Sequence, residues 1–356
     1  MILVISNMYP SKKYPNYGVF VRNFVDQLSK DEQVKVVSMT KKSSKWAKLI
    51  GYLMFYCKVF FQYVFGNYKL VYVHYAGYNS PPIILGRIFN RKSKLIVNVH
   101  GSDVTPEKPL EEKTNFMTKI LVRKADLTVV PSTYFKSVVQ HKYGRIPIYV
   151  SPSAGVNLQL FSKNDIPKEN NEYTIGYVSR IDEEKGWDTL LKAFKNVKQV
   201  IPHIHLIMVG GGAQEASAIE MIKDLDLEDS VTKIRMLSQK ELVNIYNSLD
   251  AFIFPSTRAG ESLGLVGLES MACGTPVIGS NFGGIKTYVK DGYNGYLFKP
   301  GNQEELEKTI LKFHELSIDE KERMSNNSLE TAKSYDSKLV NAKLISKVKE
   351  VLRGDR

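Results

Sequence analysis

Short apolar, β-branched runs alternate with helix-length amphipathic segments along most of the 356-residue chain. Runs that are apolar throughout are typical of strands covered on both faces, and their alternation with helices predicts parallel sheets. The first series of predicted strands is Ile2–Ser6, Val34–Met39, Leu70–Tyr75, Lys94–His100, Leu127–Ser132 and Ile148–Ser153. The second series is Thr174–Ser179, Ile204–Gly210, Val231–Leu237, Ala251–Ser256 and Pro276–Ser280. The pattern therefore predicts an α/β fold of two doubly wound domains in tandem.

A polar stretch at residues 164–173 separates the two series and is predicted to be a linker. We accordingly expect a first domain over residues 1–163 and a second over residues 174–337. Two such domains leave a cleft at the carboxyl ends of their strands, where open α/β sheets bind ligands.

The C-terminal part of the chain is helical in pattern. Apolar residues recur at helical spacing in Glu304–Leu316 and Lys338–Leu352, which predicts helices that close the structure. We expect the last helix, at about residues 338–356, to pack back on the first domain.

The charge is unevenly distributed. The chain has 49 Lys and Arg against 37 Asp and Glu, a net charge of +12, but residues 1–167 alone carry +15 and the remainder −3. A basic first half indicates an anionic partner. The only cysteines are Cys57 and Cys273, which excludes a disulfide framework and fits a reducing compartment. The first residues do not follow the signal-peptide pattern, so we expect a cytoplasmic protein.

The most specific segment is Phe254–Gly279, FPSTRAGESLGLVGLESMACGTPVIG. A helix beginning near Ser262 would present free backbone N–H groups and the positive end of its dipole, which suits a pyrophosphate. Gly264 and Gly267 would keep side chains clear of that approach. Glu261 and Glu269 would be acceptors for sugar or ribose hydroxyls. The residues expected to contact the donor at the helix start are Ser262, Leu263, Gly264, Leu265 and Val266.

This E-x7-E segment resembles that of the retaining nucleotide-sugar glycosyltransferases of family 4, which have the GT-B fold of two Rossmann-like domains. The resemblance implies that Glu261 holds the transferred sugar and Glu269 the ribose of the donor. For an isolated pair of glutamates the simpler interpretation is exposure at a helix start, since Glu is mostly exposed. The surrounding segments favour the functional interpretation.

A second element, Arg180 with Lys185-Gly186, resembles the R-x4-K-G motif of the same family. By resemblance its two cations neutralise the donor diphosphate and the charge that grows as the sugar bond breaks. The alternative is an ion pair within the loop Asp182–Glu184. Leu237 lies where the family holds the base of the donor. Lys286-Thr287 stands where the family usually has Pro-Glu, which puts a minor contact in doubt.

In the first half, Gly18 stands at the entrance of the first helix and resembles the glycine of the family's phosphate-approaching loop. His100, in His-Gly-Ser-Asp at the end of a predicted strand, resembles the family's sugar-contacting histidine, with Asp103 orienting its loop. His74 is a weaker candidate for the acceptor side. No G-x-G-x-x-G follows the first strand, which argues against a dinucleotide oxidoreductase.

The segment Lys41–Tyr68 combines lysines with eight aromatic residues between Trp46 and Phe65. Lys58 and Gln62 interrupt its apolar run before the ~18 residues that a spanning helix needs. A basic, aromatic-rich helix can lie on an anionic membrane, whereas the fold also requires a buried crossover helix here. We expect both, with inner residues in the core and a basic, aromatic edge on the membrane.

Together these features predict a retaining glycosyltransferase that moves a sugar from a nucleotide-diphosphate sugar, UDP-linked by preference, to a hydroxyl of a glycan or lipid-linked acceptor. Arg180 and Lys185 supply the positive charge, so no divalent metal or other cofactor is expected, and the basic residues form no motif for nucleic acid. By resemblance the setting is bacterial capsule, exopolysaccharide or lipopolysaccharide assembly at the inner face of the membrane. The alternatives are a GT-B sugar-nucleotide epimerase, a phosphorylase, or a noncatalytic protein that binds anionic lipid.

Overall fold

The computed structural model describes residues 1–15, 17–164 and 173–354. The chain forms two compact units. The first comprises Met1–Ala154 with the chain from Val340 onward, and the second comprises Gly155–Leu339.

The first unit ends nine residues before the predicted boundary at residue 163. Val156 and Phe161 are buried in a core cluster of the second unit, and Val156 forms a β-bridge with Asp336. These contacts explain why the segment belongs to the second unit. The predicted linker at residues 164–173 lies outside the described residues, except for its two ends.

The first unit is built on a parallel six-stranded sheet whose strands lie in the order β2-β1-β3-β4-β5-β6. Its strands are β1 (Ile2–Tyr9), β2 (Val34–Thr40), β3 (Leu70–His74), β4 (Lys94–Asn98), β5 (Leu127–Val130) and β6 (Ile148–Val150). The helices between them are α1 (Val19–Leu28), α2 (Lys45–Phe65), α3 (Ala76–Phe89), α4 (Pro109–Arg123) and α5 (Thr133–Tyr143). The strand order reverses between β1 and β3.

The second unit has a parallel six-stranded sheet in the order β12-β11-β10-β7-β8-β9. Its strands are β7 (Tyr173–Val178), β8 (Ile204–Val209), β9 (Val231–Ile234), β10 (Ala251–Phe254), β11 (Val277–Ser280) and β12 (Gly295–Phe298). Its helices are α6 (Trp187–Val200), α7 (Glu215–Asp224), α8 (Gln239–Ser248), α9 (Leu265–Ala272), α10 (Gln303–His314) and α11 (Ile318–Lys333), with a 3-10 turn at Gly283–Thr287. Here the order reverses between β7 and β10.

These two sheets confirm the predicted α/β class and the doubly wound architecture. All eleven predicted strands are present, and β12 is an additional strand. It lies at the edge of the second sheet and pairs only with β11. Helix α11 was also missed, although Ser317 and Glu320 form a capping box at its start, a signal that can be read from the sequence.

The last helix of the chain, α12 (Ser337–Arg353), packs on the first unit. Its buried residues Leu344, Ile345 and Val348 belong to the same core cluster as Val21 and Phe24 of α1. Apolar residues at helical spacing on both helices cover one face of the first sheet.

Helix α2 carries two apolar stripes. Phe55, Val59 and Tyr63 are buried in the core of the first unit. The opposite stripe lies outward, with side chains at least 55% exposed: Trp46, Leu49, Ile50, Leu53, Met54, Phe61 and Phe65. Within the ranges that the structure describes, no helix has the length and apolarity needed to cross a bilayer.

Candidate functional site

In the second unit, Lys185 and Glu261 meet where the strand order reverses. Lys185 follows β7 and Glu261 follows β10. The Lys185 Nζ atom lies 2.6 Å from Glu261 Oε2, and the two side chains are only 10% and 15% exposed. Doubly wound sheets bind ligands at this kind of position, beyond the carboxyl ends of the strands. A lysine ammonium has three donors and a carboxylate has two acceptor oxygens, so the ion pair leaves capacity on both partners for a ligand.

The turn that carries Lys185 is locked against the end of β10. A Cβ atom on Gly186 would lie 2.1 Å from the carbonyl oxygen of Pro255, and Gly186 has a φ of +70°. Only glycine meets both conditions without strain. The backbone N–H of Thr257 donates to the carbonyl oxygen of Glu184 at 2.9 Å. Glu184 itself has a φ of +61°, a strained conformation for a side-chain-bearing residue that is common at functional sites.

Ser256, which contacts the carboxylate of Glu261, was not predicted to be a site residue from the sequence. Its buried Oγ lies 3.2 Å from Glu261 Oε2 and 3.3 Å from the carbonyl oxygen of Glu184. One hydroxyl proton can be donated to either acceptor. Ser256 therefore joins the turn before Lys185 to the carboxylate of Glu261.

The loop that carries Glu261 is held by the double glycine of the 3-10 turn. The N–H of Gly284 donates to the carbonyl oxygen of Glu261 at 2.8 Å. A Cβ atom on Gly284 would lie 2.4 Å from the Cα atom of Leu263. The Asn281–Thr287 segment thus positions Glu261 through its backbone, which does not involve the unusual Lys286-Thr287 side chains.

Helix α9 begins later than predicted. It starts at Leu265 with Gly264 as its N-cap in the left-handed conformation, at a φ of +80°. Ser262 and Leu263 therefore belong to the preceding loop. The Leu263 side chain is buried in the core, so only its backbone is left for the predicted donor contact. Leu265 and Val266 are the first two residues of the helix, and their backbone N–H groups are among those that an α-helix leaves without intrahelical partners.

Gly267 has a different purpose from the predicted one. A Cβ atom there would lie 2.2 Å from the hydroxyl of Tyr288. That hydroxyl donates to the carbonyl oxygen of Gly264 at 2.9 Å. Gly267 therefore makes room for Tyr288, which holds the start of α9, and does not serve the approach of a phosphate. Nothing in the sequence near Tyr288 indicates this contact.

Glu269 lies just over one turn into α9 and is partly buried. The Tyr246 hydroxyl donates to Glu269 Oε2 at 3.3 Å. Burial raises the pKa of Glu269 to about 7, although the Tyr246 hydrogen bond lowers it. A carboxyl group with this pKa is about half protonated at neutral pH, so it can both accept a hydrogen bond from a ligand hydroxyl and donate one to it.

Arg180 is placed differently from Lys185. Its guanidinium lies 2.6 Å from Asp182 Oδ2, and its side chain is 59% exposed. The alternative ion pair within the loop is therefore present. Asp182 in turn accepts from the backbone N–H of Ala213 at 2.8 Å, so the pair is anchored to the glycine turn after β8. An exposed arginine with this anchor can still reach an anion by sharing its five donors.

Leu237 is partly buried and packs on a core cluster of the second unit. The next residue, Ser238, begins α8 with a capping box that engages Glu241. Ser238 side-chain groups are thus used by the helix, whereas Leu237 lies just before it at the carboxyl side of β9.

In the first unit, Gly18 is the N-cap of α1 and has a φ of +75°. A Cβ atom on it would lie 2.7 Å from the carbonyl group of Met8 at the end of β1. The glycine is therefore required by the close approach of α1 to β1. The first turn of α1 has no acidic residue and no side-chain cap, so its positive end is not neutralised from within the helix.

His100 and Asp103 share a loop at the carboxyl end of β4. Asp103 is buried and accepts backbone N–H bonds from His100 at 3.0 Å, Gly101 at 2.9 Å and Ala76 at 3.0 Å. Burial raises the pKa of Asp103 to about 6, while these backbone bonds lower it. Both carboxylate oxygens accept bonds from the protein backbone, so Asp103 positions the loop, as predicted.

His100 is partly exposed and lies over His74. The His74 Nδ1 and His100 Nε2 atoms are 3.4 Å apart. Burial lowers the pKa of His100 to about 4. Burial and the nearby His100 hold the pKa of His74 well below its usual value, so both rings are neutral at pH 7. His74 is 2% exposed, and its ring stacks with the ring of His100. Because its side chain is buried, it does not line an acceptor site.

Known protein families cover both units. Residues 19–132 match the family described as glycosyl transferase 4-like, and residues 159–331 match the family described as glycosyl transferases group 1. An uncharacterized glycosyltransferase of Methanocaldococcus jannaschii is 25% identical over 338 residues, which cover 87% of this chain and 89% of that protein.

Solved structures show the same fold. Sucrose-phosphate synthase from Thermosynechococcus elongatus superposes with a TM-score of 0.82 at 18% identity over the whole of both chains. HepE from Anabaena, solved in complex with UDP and also with UDP-glucose, is 18% identical in the UDP complex, with a TM-score of 0.78 over 98% of this chain and 99% of that one. The chain belongs to the GT-B glycosyltransferases of the family 4 type.

Proposed function

We propose that this protein is a retaining glycosyltransferase that uses a UDP-sugar donor. The observation that carries the proposal is the Lys185–Glu261 pair, held at 2.6 Å beyond β7 and β10. UDP and UDP-glucose are ligands of HepE, which has the same fold. In this proposal Lys185 and Arg180 bind the diphosphate, Glu261 binds the transferred sugar and Glu269 binds the ribose.

The proposed step needs no covalent enzyme intermediate. The bond between the anomeric carbon and the diphosphate oxygen breaks while the acceptor hydroxyl oxygen bonds to the same carbon from the same face. The departing diphosphate takes the proton of that hydroxyl. Lys185 stabilises the negative charge that grows on the diphosphate, and contacts of this kind are worth ~10²–10³ in rate.

The backbone N–H groups of Leu265 and Val266, at the start of α9, extend the anion site of the donor. Gly264 in its left-handed conformation places them, and Ser262 lies in the loop before it. Leu237 is proposed to contact the base. His100, by resemblance to the family motif, is proposed to contact the transferred sugar through a neutral imidazole, and Gly18 the donor phosphate.

We propose that the reaction needs no divalent metal. Two cationic side chains, Arg180 and Lys185, are available to the diphosphate. Across the described ranges, no group of three His, Cys, Asp or Glu side chains is arranged to hold a metal ion. Activity is therefore expected to persist in excess EDTA, and its loss with recovery on adding Mg²⁺ or Mn²⁺ would contradict metal independence.

The donor can be identified by thermal stabilisation with a panel of nucleotide sugars, since a ligand at 100 times its dissociation constant adds ~2.7 kcal/mol. The anomeric configuration of the transferred sugar, read by NMR of the product, tests retention. Stabilisation by no nucleotide sugar, or a product of inverted configuration, would overturn the proposal. His100→Ala is expected to lower transfer while UDP still binds.

The acceptor is proposed to be a glycan or lipid-linked molecule at the inner face of the cell membrane, in the assembly of a surface polysaccharide such as capsule, exopolysaccharide or lipopolysaccharide.

The outward stripe of α2 supports membrane contact, because its large apolar side chains lie beside several lysines. The ring of Phe89 in α3 contacts Phe60 of α2 at 5.8 Å between centroids, and Leu85, Ile88 and Phe89 are also exposed. Exposed apolar patches rimmed by cations bind anionic bilayers.

Vesicle flotation tests this membrane contact. The protein is expected to float with vesicles of phosphatidylcholine and phosphatidylglycerol, less with phosphatidylcholine alone, and Leu53→Ser with Phe61→Ser should reduce flotation. Val200→Ser with Ile219→Ser, which also removes two exposed apolar side chains, is the matched control. If flotation is the same with and without anionic lipid and is unchanged in the α2 variant, membrane binding by this stripe is contradicted. If the protein is a dimer that dissociates in that variant, a second copy of the chain covers the stripe instead.

A further inference from the structure

The first unit contains a pocket that the donor site does not explain. It is a cavity of about 290 Å³ at the carboxyl ends of β1, β2 and β3, near the small end of ligand pockets in size. The strand order of the first sheet reverses between β1 and β3, the position at which open sheets bind ligands. We call it the lysine-tyrosine pocket; its polar lining includes Lys41, Lys42, Lys48, Tyr52, Tyr75 and Tyr78.

The charge of this pocket has one sign. Among the described residues that line it none is acidic. The sequence between Glu32 and Asp103 contains 11 Lys and Arg but no Asp or Glu. The carboxylate of Glu111 accepts from the Tyr78 hydroxyl at 3.4 Å but does not line the pocket. Concentrating like charges without a counterion is unfavourable, so this arrangement suits an anionic ligand.

The lysines are held at the pocket by local packing. The Cβ position of Gly51 lies 3.2 Å from Lys42 Cε, so the Lys42 chain lies across α2 where a larger residue would displace it. Lys41 Nζ lies 5.0 Å from the ring centroid of Tyr14, a cation–π distance. Lys48 stands at the N-terminal end of α2, whose first turn has no acidic residue. The Lys48 ammonium group there repels the partial positive charge at the N-terminus of α2. A bound anion would be attracted by both.

The tyrosines provide neutral donors. Burial raises the pKa of Tyr52 and of Tyr75 above the usual value, so their hydroxyls stay protonated. Asn7 Nδ2 donates to the Tyr52 hydroxyl oxygen at 3.1 Å. The hydroxyl proton of Tyr52 is not used in this bond and can be donated to a ligand. A hydroxyl that already accepts one bond is a good donor to an anion.

Tyr75 links the pocket to His100. It has a φ of 68°, a rare conformation for a bulky residue that marks functional sites. Its hydroxyl bonds Ser102 in the His100 loop, and its ring stacks with His100 at 6.4 Å between centroids and an angle of 17°. A ligand in the pocket therefore lies against the same side chain that contacts the proposed sugar-binding histidine.

We propose that the lysine-tyrosine pocket binds a phosphate or diphosphate group of the acceptor. Lys41, Lys42 and Lys48 neutralise that group, and the hydroxyl that receives the sugar is presented on the His100 side of Tyr75. The proposal rests on the proposed glycosyltransferase function and names the acceptor class. A phosphorylated soluble sugar and a polyprenyl diphosphate-linked sugar share this chemistry.

Binding of inorganic pyrophosphate and of farnesyl diphosphate, measured by calorimetry in the presence of saturating UDP to occupy the donor site, tests the pocket. Lys42→Gln with Lys48→Gln is expected to weaken both by about tenfold or more, because charge-assisted bonds to phosphate are lost. Lys113→Gln with Lys119→Gln, which removes two exposed charges from α4 of the same unit, should bind as the wild type does. Equal weakening in both double variants, or no binding by the wild type, would overturn the proposal.

The two probes also separate the sources of the phosphate. Equal affinity for pyrophosphate and farnesyl diphosphate supports the pocket with a soluble acceptor. Tighter binding of farnesyl diphosphate, lost in Leu53→Ser with Phe61→Ser, supports the pocket with a lipid-linked acceptor. Thermal stabilisation by UDP is read on the same samples. If UDP stabilises the protein and neither diphosphate binds, only the pocket assignment fails; if UDP does not stabilise it, the proposed function fails.

Discussion

Breaking the Lys185–Glu261 pair should change stability and activity in separable ways. The Nζ and Oε2 atoms are 2.6 Å apart, and the side chains are 10% and 15% exposed. Removing one partner of a buried pair leaves a desolvated charge and costs about 3–5 kcal/mol. Because water still reaches both groups, we expect the lower end, about 3 kcal/mol, for Lys185→Met and about 2 kcal/mol for Glu261→Gln, whose amide keeps a hydrogen-bonding group.

The double variant decides between a structural and a catalytic role. Lys185→Met with Glu261→Gln removes both charges together, so it should cost about 1–2 kcal/mol, well below the sum of the single changes. Sugar transfer should nevertheless fall ~10²–10³-fold in the double variant as in the single variants. The double variant is then more stable than the sum of the single changes predicts but remains inactive. If the pair were only structural, activity would recover together with stability.

The free energy of unfolding is measured by urea titration without ligand, and transfer by release of UDP. Lys192→Met is the control, because Lys192 pairs with Asp188 at 3.8 Å with both side chains nearly half exposed. It should cost under about 0.5 kcal/mol and leave transfer unchanged. Additive costs in the double variant would show that the two side chains do not interact, and near wild-type transfer would refute their assigned roles.

Three further changes test neighbouring features. The pKa of Glu269 is about 7 in the folded protein against 4.5 ordinarily, so the unfolded chain loses its proton first as pH rises. The free energy of unfolding should therefore fall between about pH 4.5 and 7. Glu269→Gln should raise it by about 1–2 kcal/mol relative to the wild type at pH 8 but not at pH 4. An equal effect at both pH values in urea titrations would contradict the raised pKa. Gly284→Ala should cost about 1–3 kcal/mol and weaken UDP binding in calorimetry, because its Cβ would lie 2.4 Å from Leu263 Cα. Gly292→Ala would meet nothing within 4 Å, but Gly292 has a φ of +71°, so this change should cost stability through the backbone alone. It controls for UDP binding, which it should leave intact. Asp103→Asn places an amide donor against backbone N–H groups and should cost about 1–3 kcal/mol in urea unfolding, and unchanged stability would contradict the loop-positioning role.

Local patterns in the sequence predict much of this fold. Each strand is a short apolar run, and each helix buries one face, so burial leaves a periodic trace in the residues that experience it. The predicted strands match the observed ones for this reason. Two features differ from the prediction. The edge strand β12 is additional, and the start of α9 moves from near Ser262 to Leu265 because Gly264 adopts a left-handed conformation as its N-cap.

The segments proposed to carry the chemistry were also identified from the sequence, because glycines and charges at set spacings resemble a known family. Their roles were less secure. Asp103 holds the backbone of its own loop, as predicted, because that contact is mostly local in sequence. Gly267 instead makes room for Tyr288, a neighbour in space that sequence spacing does not reveal.

By itself, then, the sequence determined most of the element order, the parallel sheets and the residues proposed for the donor site. Only the tertiary structure decided which of these residues meet. Lys185 and Glu261 are 76 positions apart along the chain, and they come within 2.6 Å because two adjacent strands end at one edge of a sheet. The lysine-tyrosine pocket arises in the same way from three strands and the helices α2 and α3. Periodicity reports the burial of each residue, whereas contacts between distant segments depend on how complete layers pack together.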